Sequence, residues 1–144
     1  MIPRYSRPEM ARLWSQDAKY EAWLQVELAV CEVYARRALI PVDALGRIKA
    51  RAQVSAERID LIEATTRHDV IAFLTNLEEA LGADSRYVHM GLTSSDVVDT
   101  ALALQLQQAS ELLIAGLERF RAALRALALR HGREGHALGR LRDA

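Results

Sequence analysis

Val-His-Met-Gly-Leu-Thr-Ser-Ser-Asp-Val-Val-Asp-Thr-Ala, residues 88–101, is the stretch whose reading decides the fold. Its first five residues hold a histidine and a glycine and make little helix. From Thr93 onward no proline occurs, and Gly116 is the only glycine before Gly132. A polar loop therefore runs into the start of a very long helix. Thr93, Ser94 and Ser95 stand at its mouth, and Asp96 follows Thr93 by three residues. That is the spacing of a capping box, with Asp in place of the usual Glu. Hydroxyls and free backbone N–H groups at a helix N-terminus also form an anion site. Two readings stay open at this point: the residues cap the helix and do nothing more, or they cap it and bind an anion.

Downstream, Leu102, Ala109, Gly116 and Ala123 recur every seven residues, and Leu106, Leu113, Phe120 and Leu127 fill the alternating positions. This is a 3-4 heptad pattern on a helix running from about Ser94 to at least Leu129. At a rise of about 1.5 Å per residue it is roughly 50 Å long. Leu104, Leu112, Leu117 and Leu124 widen the apolar surface beyond one seam. The short helices before it cannot cover such a surface, so most of it must meet helices outside this sequence.

Upstream, Met1–Arg7 reads as an irregular arm, with Ser6 as the cap of a short helix that has Pro8 in its first turn. Ser15–Leu39 reads as a long helix with Ala22, Trp23, Val26, Leu28, Ala29, Val30, Val33 and Tyr34 on its apolar face. Asp17, Lys19, Glu21 and Glu27 fall on the other side. Pro41 opens a helix to Ala52. Ser55 caps another to Thr65, with Ile59, Leu61 and Ile62 as core candidates. Thr65–Asp69 interrupts the pattern. Val70, Ile71, Phe73, Leu74, Leu77 and Leu81 resume it, and Gly82 fits just past the end. His68 beside Asp69 supports two roles. It is either a structural histidine whose ring N–H the Asp accepts, or an oriented acid–base or binding group.

Composition narrows the class. The 144 residues are 51% hydrophobic and 26% charged, which suits a globular domain with a real core. Lys plus Arg equals Asp plus Glu at 19 each, an argument against a general nucleic-acid or anionic-membrane binder. Cys31 alone cannot form an intrachain disulfide, which fits a reducing cytoplasm. No apolar run reaches the roughly 18 residues of a membrane span. Strand alternation is absent, and no zinc-ligand spacing occurs. The fold expected is all-α: an N-terminal helical domain over 1–92, leading into the first long helix of a central bundle domain over 93–144.

Three segments together resemble the adenylosuccinate lyase family of the fumarase/aspartase superfamily. They are Met1-Ile2-Pro3-Arg4-Tyr5-Ser6-Arg7-Pro8-Glu9-Met10, Thr66-Arg67-His68-Asp69-Val70-Ile71-Ala72-Phe73, and His89-Met90-Gly91-Leu92-Thr93-Ser94-Ser95-Asp96-Val97-Val98-Asp99-Thr100-Ala101. The Thr-Ser-x-Asp element alone is shared across the superfamily; the other two segments narrow it. The resemblance implies β-elimination of fumarate from adenylosuccinate, giving AMP, and from the succinyl-carboxamide ribotide of de novo purine biosynthesis. It implies that Arg4 and Tyr5 hold the nucleotide phosphate and that Arg67 and Asp69 line the nucleotide. It implies further that His68 serves catalysis by orienting the reacting region, that His89 lies on the nucleotide side, and that Thr93 and Ser94 bind a succinyl carboxylate. No metal or organic cofactor is implied. The partners implied are a small nucleotide substrate and copies of the chain in a homotetramer, without nucleic acid or membrane.

The departures carry their own expectation. Where the family has Gly-Arg-Thr-His-Gly, with its general-acid histidine, this sequence reads Gly139-Arg140-Leu141-Arg142-Asp143. The later loop with the family's serine base has no counterpart in these residues. The expectation is an N-terminal portion of the lyase, inactive by itself, carrying binding pieces of a site shared between subunits. Two rivals stand beside it: a non-catalytic helical oligomerisation module built on the same heptads, and another lyase of the superfamily, such as a cycloisomerase.

Overall fold

The structure, a computed structural model, describes the backbone of residues 2–142 and the side chains of residue 2 and residues 4–132. Among the described residues the chain is helical, with no strand. The α-helices are α1 (Pro8–Leu13), α2 (Gln16–Arg36), α3 (Val42–Arg51), α4 (Ala56–Thr66), α5 (Asp69–Leu81) and α6 (Ser94–Arg142). Short 3₁₀ turns occupy Pro3–Tyr5 and Gly82–Tyr87. Backbone contacts divide the chain into two compact units, Met1–Gln108 and Ala109–Ala144. The long helix thus begins in one unit and runs on through the other.

The core of the first unit is built around three rings. Tyr20 and Trp23 of α2 meet edge to face at 5.4 Å, and Trp23 meets Phe73 of α5 the same way at 5.4 Å. Such pairs add about 0.5–1.5 kcal/mol each beyond the area they bury. Ile48, Ile59, Val70, Ala72, Leu77 and Leu81 close around them from α3, α4 and α5. α6 enters this core through Val97 and Ala101, both fully buried. One turn further on, the buried Gln105 amide donates to the Leu13 carbonyl at the end of α1 (2.8 Å). The face that α6 turns to its own unit is therefore Val97–Ala101–Gln105. The heptad positions Leu102 and Leu106 lie beside it and are about half exposed.

Several local readings need correction. Ser6 does not cap α1; its hydroxyl donates to the Ile2 carbonyl (2.9 Å), and Arg7 holds the cap position without a side-chain hydrogen bond. α2 ends at Arg36 rather than Leu39. Ala38 there takes a left-handed φ of 57°. The Leu39 N–H donates to Tyr34 O (2.9 Å) and the Ala38 N–H to Ala35 O (3.0 Å). That is a Schellman close with alanine where glycine is usual. Leu61 and Ile71 are exposed; each follows the apolar pattern but sits on the outer edge of its helix. Glu27, read as surface decoration, is 1% exposed. The Ser55 cap holds, accepting from Arg58 N–H, while Ser15, read as the first residue of its helix, is the cap of α2 and accepts from Ala18 N–H.

In the second unit, described by itself, α6 carries Leu113, Leu117, Phe120, Leu124 and Leu127, each half or more exposed. The Gly139–Asp143 departure from the family pattern lies outside the described side chains, as does Pro3. Met1 and Asp143–Ala144 lie outside the described residues altogether.

Candidate functional site

The histidine-containing loop before α6 is fixed by one face of α2. Glu27, Cys31 and Tyr34 are spaced four and three residues apart, so they line up along that helix. Glu27 accepts the His89 N–H on Oε2 (2.9 Å), and its Oε1 lies 2.6 Å from His89 Nδ1. Cys31 Sγ donates to Tyr87 O (3.6 Å). Tyr34 Oη donates to Met90 O (2.9 Å). The backbone between them turns sharply, with φ of 60° at His89 and 72° at Gly91. A Cβ at Gly91 would meet Tyr34 Oη at 3.3 Å, so both the positive φ and the close approach call for glycine. Burial pushes the Cys31 thiol up to about 11, with the Glu27 carboxylate adding to the effect. It is therefore a packing group and a weak donor rather than a nucleophile at neutral pH.

This pinned loop delivers the start of α6. Asp96 Oδ2 accepts the Thr93 N–H (2.7 Å) and also the Thr93 hydroxyl (3.0 Å). Half of the expected capping box is formed. The reciprocal bond is not: the Asp96 N–H donates to the Thr93 carbonyl (3.1 Å) rather than to the hydroxyl. The Thr93 backbone N–H, then its hydroxyl, hold the Asp96 carboxyl below the usual carboxylate range. Asp96 thus supplies a negative charge at the positive end of the helix and occupies both Thr93 donors. The Ser94 hydroxyl has no partner among the described residues.

The Arg67–Asp69 segment is built differently. Arg67 closes α4 in a left-handed conformation (φ 54°), and its N–H donates to Glu63 O (2.8 Å). His68 then caps α5: its Nδ1 accepts the Ile71 N–H at 3.4 Å. A ring nitrogen that accepts carries no proton, so in the neutral ring the proton sits on Nε2. Asp69 does not orient this ring. Its Oδ1 is 3.7 Å from Nδ1 and accepts the Val70 N–H instead (2.8 Å), while Oδ2 lies 4.0 Å from Lys19 Nζ. Lys19 in turn lies over the Trp23 ring at 4.6 Å. At the N-terminus, the Arg4 guanidinium lies 4.8 Å over the Tyr5 ring, and both side chains are exposed.

The expected site residues therefore fall into three groups: Arg4–Tyr5, Arg67–His68–Asp69 with Lys19, and His89–Thr93–Ser94 with Glu27 and Asp96. Among the described residues no hydrogen bond or ion pair links one group to another. Along α2, Lys19 and Glu27 are eight residues apart, about 12 Å of helix rise. The missed member is Glu27. Its signal was its place within Tyr20–Trp23–Glu27–Cys31–Tyr34, a run with the three- and four-residue spacing of a buried seam. No group of three or more His, Cys, Asp or Glu side chains among the described residues could hold a metal ion.

A lyase family model matches residues 4–133. The adenylosuccinate lyase of Synechocystis sp. is 50% identical over 131 residues, which is 91% of this chain and 30% of the relative. That of Staphylococcus saprophyticus is 47% identical over 120 residues, 83% of this chain and 28% of the relative. In structure, the chain resembles a fumarate lyase from Mesorhizobium sp. BNC1, with a TM-score of 0.76 and 28% identity over 86% of this chain and 31% of that one. The chain belongs to this lyase family. It spans under a third of the length of the adenylosuccinate lyases it matches.

Proposed function

We propose that this chain supplies substrate-binding parts of an adenylosuccinate lyase, a carbon–nitrogen lyase of de novo purine biosynthesis. The reaction is β-elimination of fumarate from adenylosuccinate, leaving AMP, and likewise from the succinyl-carboxamide ribotide. A base removes the proton next to a carboxylate, and an acid protonates the departing nitrogen. Donors near the carboxylate stabilise the charge that builds up there.

The observation that carries this reading is the pinned loop, which holds His89 and the first residue of α6 in fixed relation through four bonds to three residues of α2. Ser94, with a hydroxyl not otherwise engaged, is the carboxylate donor at the helix start. Thr93 offers its donors to a substrate only if Asp96 gives them up. Arg4 and Tyr5 take the phosphate, a task suited to an arginine fork. Arg67, His68 and Asp69 face the nucleotide, with His68 presenting Nε2–H. The separation of the three groups supports a site completed by other copies of the chain, as in a homotetramer acting in the cytoplasm. The family's acid histidine and serine base have no counterpart in these residues.

The test is an assay of fumarate release, run on the purified 144-residue chain and on the protein as encoded by its own gene. The chain alone is expected to be silent. Ser94→Ala in the active protein is expected to raise the KM for adenylosuccinate by roughly 10- to 100-fold, the size of a lost hydrogen bond to a charged group. Release by the purified chain, or an unchanged KM in Ser94→Ala, would contradict the assignment.

A further inference from the structure

We propose that Glu27 is a positioning residue for His89: it fixes the ring's tautomer and direction, so that Nε2 is the nitrogen offered to the nucleotide. This rests on the reading of His89 as a substrate-side group. Glu27 is 1% exposed, and both its oxygens are taken by His89, one by the backbone N–H and one by Nδ1. An ionised carboxylate accepts only, so Nδ1 must be the protonated nitrogen. In the neutral ring the free Nε2 is then an acceptor, and it suits a donor on the ligand, such as a ribose hydroxyl or an amino group. The opposite arrangement holds at His68, where Nδ1 accepts and Nε2–H is the remaining donor of the neutral ring. The two histidines therefore present complementary nitrogens.

A structural need alone explains the arrangement poorly. Burying a carboxylate is costly, and apolar residues of similar size often replace buried ion pairs without loss. The loop already has two other anchors on the same helix face, from Cys31 and Tyr34. Glu27 is the anchor that touches a side chain, and that side chain, His89, opens the segment that resembles the family's Thr-Ser element. Two bonds from one carboxylate to the same residue also fix the ring against rotation, which one bond to a carbonyl does not.

The substitution to make is Glu27→Gln, which keeps shape and removes charge. Its amide has one oxygen and one NH₂, so it cannot offer an acceptor at both positions that the carboxylate oxygens hold. The first readout is the ring ¹⁵N spectrum of His89 in the 144-residue chain. The wild type should show protonated Nδ1 and bare Nε2 in the neutral ring; Glu27→Gln should shift the population towards Nε2–H. Glu27→Asp should retain the wild-type tautomer at least in part. The second readout is kinetic, in the protein as encoded by its gene. Glu27→Gln should raise the KM for adenylosuccinate on the order of tenfold or more, a usual cost when a functional histidine loses the partner that orients it. The melting temperature should stay near the wild type. An unchanged tautomer in Glu27→Gln overturns the positioning role while leaving His89 as a substrate group. A switched tautomer with unchanged KM and kcat overturns the substrate-side reading of His89 itself, and the inference with it.

Discussion

His68 shows how one side chain can hold two jobs that a single substitution confuses. Its Nδ1 caps α5, and its half-exposed ring has no hydrogen bond to Nε2 among the described residues. Replacing it with alanine removes the cap and costs about 1 kcal/mol of stability whatever the ring does for substrate. Asparagine is among the best N-caps, so His68→Asn keeps the helix start and deletes only the imidazole. If the ring serves the reaction, turnover in the active protein falls about a hundredfold, or about 2.7 kcal/mol of barrier, with the melting temperature unchanged. Equal turnover per folded enzyme would reduce His68 to a cap. At this scale the sequence was legible where partners are near in the chain. The Thr93–Asp96 spacing announced a cap, and Ser55 announced another. Glu27 and His89 are 62 positions apart, and no local pattern pairs them.

At the scale of elements, the helices were legible because apolar residues recur at helical spacing, and boundaries failed where an unusual residue did the stopping. Ala38 closes α2 with a left-handed backbone that sequence reasoning reserves for glycine or asparagine. The 3₁₀ turn Gly82–Tyr87 has no periodicity to betray it. α2 also carries two buried acids of raised pKa, Tyr20 and Cys31, and this gives a pH signature. Burial, followed by the charges of Asp60, Glu63 and Asp69, pushes Tyr20 from 10.0 up to about 12. Burial followed by Glu27 pushes Cys31 from 9.0 up to about 11. In each case the unfolded chain releases its proton first. The stabilisation is present in full below the ordinary value and is lost as pH rises towards the folded one. Chemical denaturation followed from pH 8 to 12 should therefore show stability falling from about pH 9 upward. Cys31→Ala should remove the lower part of that fall, and Tyr20→Phe the part between 10 and 12. A flat profile in the wild type, or one that neither substitution alters, would contradict the burial argument.

At the scale of the whole molecule, the strongest feature legible in the sequence is also the one with least covering it. The heptad stripe implied an apolar surface too large for the preceding helices, and the exposed Leu113, Leu117, Phe120, Leu124 and Leu127 agree with that. Which face of α6 its own unit would use was not legible. Val97, Ala101 and Gln105 carry that packing, a stripe of small and polar residues beside the heptad line rather than on it. Soluble chains seldom leave several large side chains exposed along one helix without a partner. Self-association of the 144-residue chain is therefore expected, with light scattering at roughly 50 μM giving a mass well above one chain, a concentration at which even weak interfaces fill. Leu117 and Leu124 are seven residues apart, two turns along the same side. Glu at both positions keeps helix propensity close to that of Leu, so the helix should persist by circular dichroism. It sets charge in the apolar surface that flanks the heptad seam, and the mass should fall towards that of a single chain. A wild-type monomer at that concentration would contradict the bundle role of α6. A double variant as associated as the wild type would move the interface to another face of the molecule.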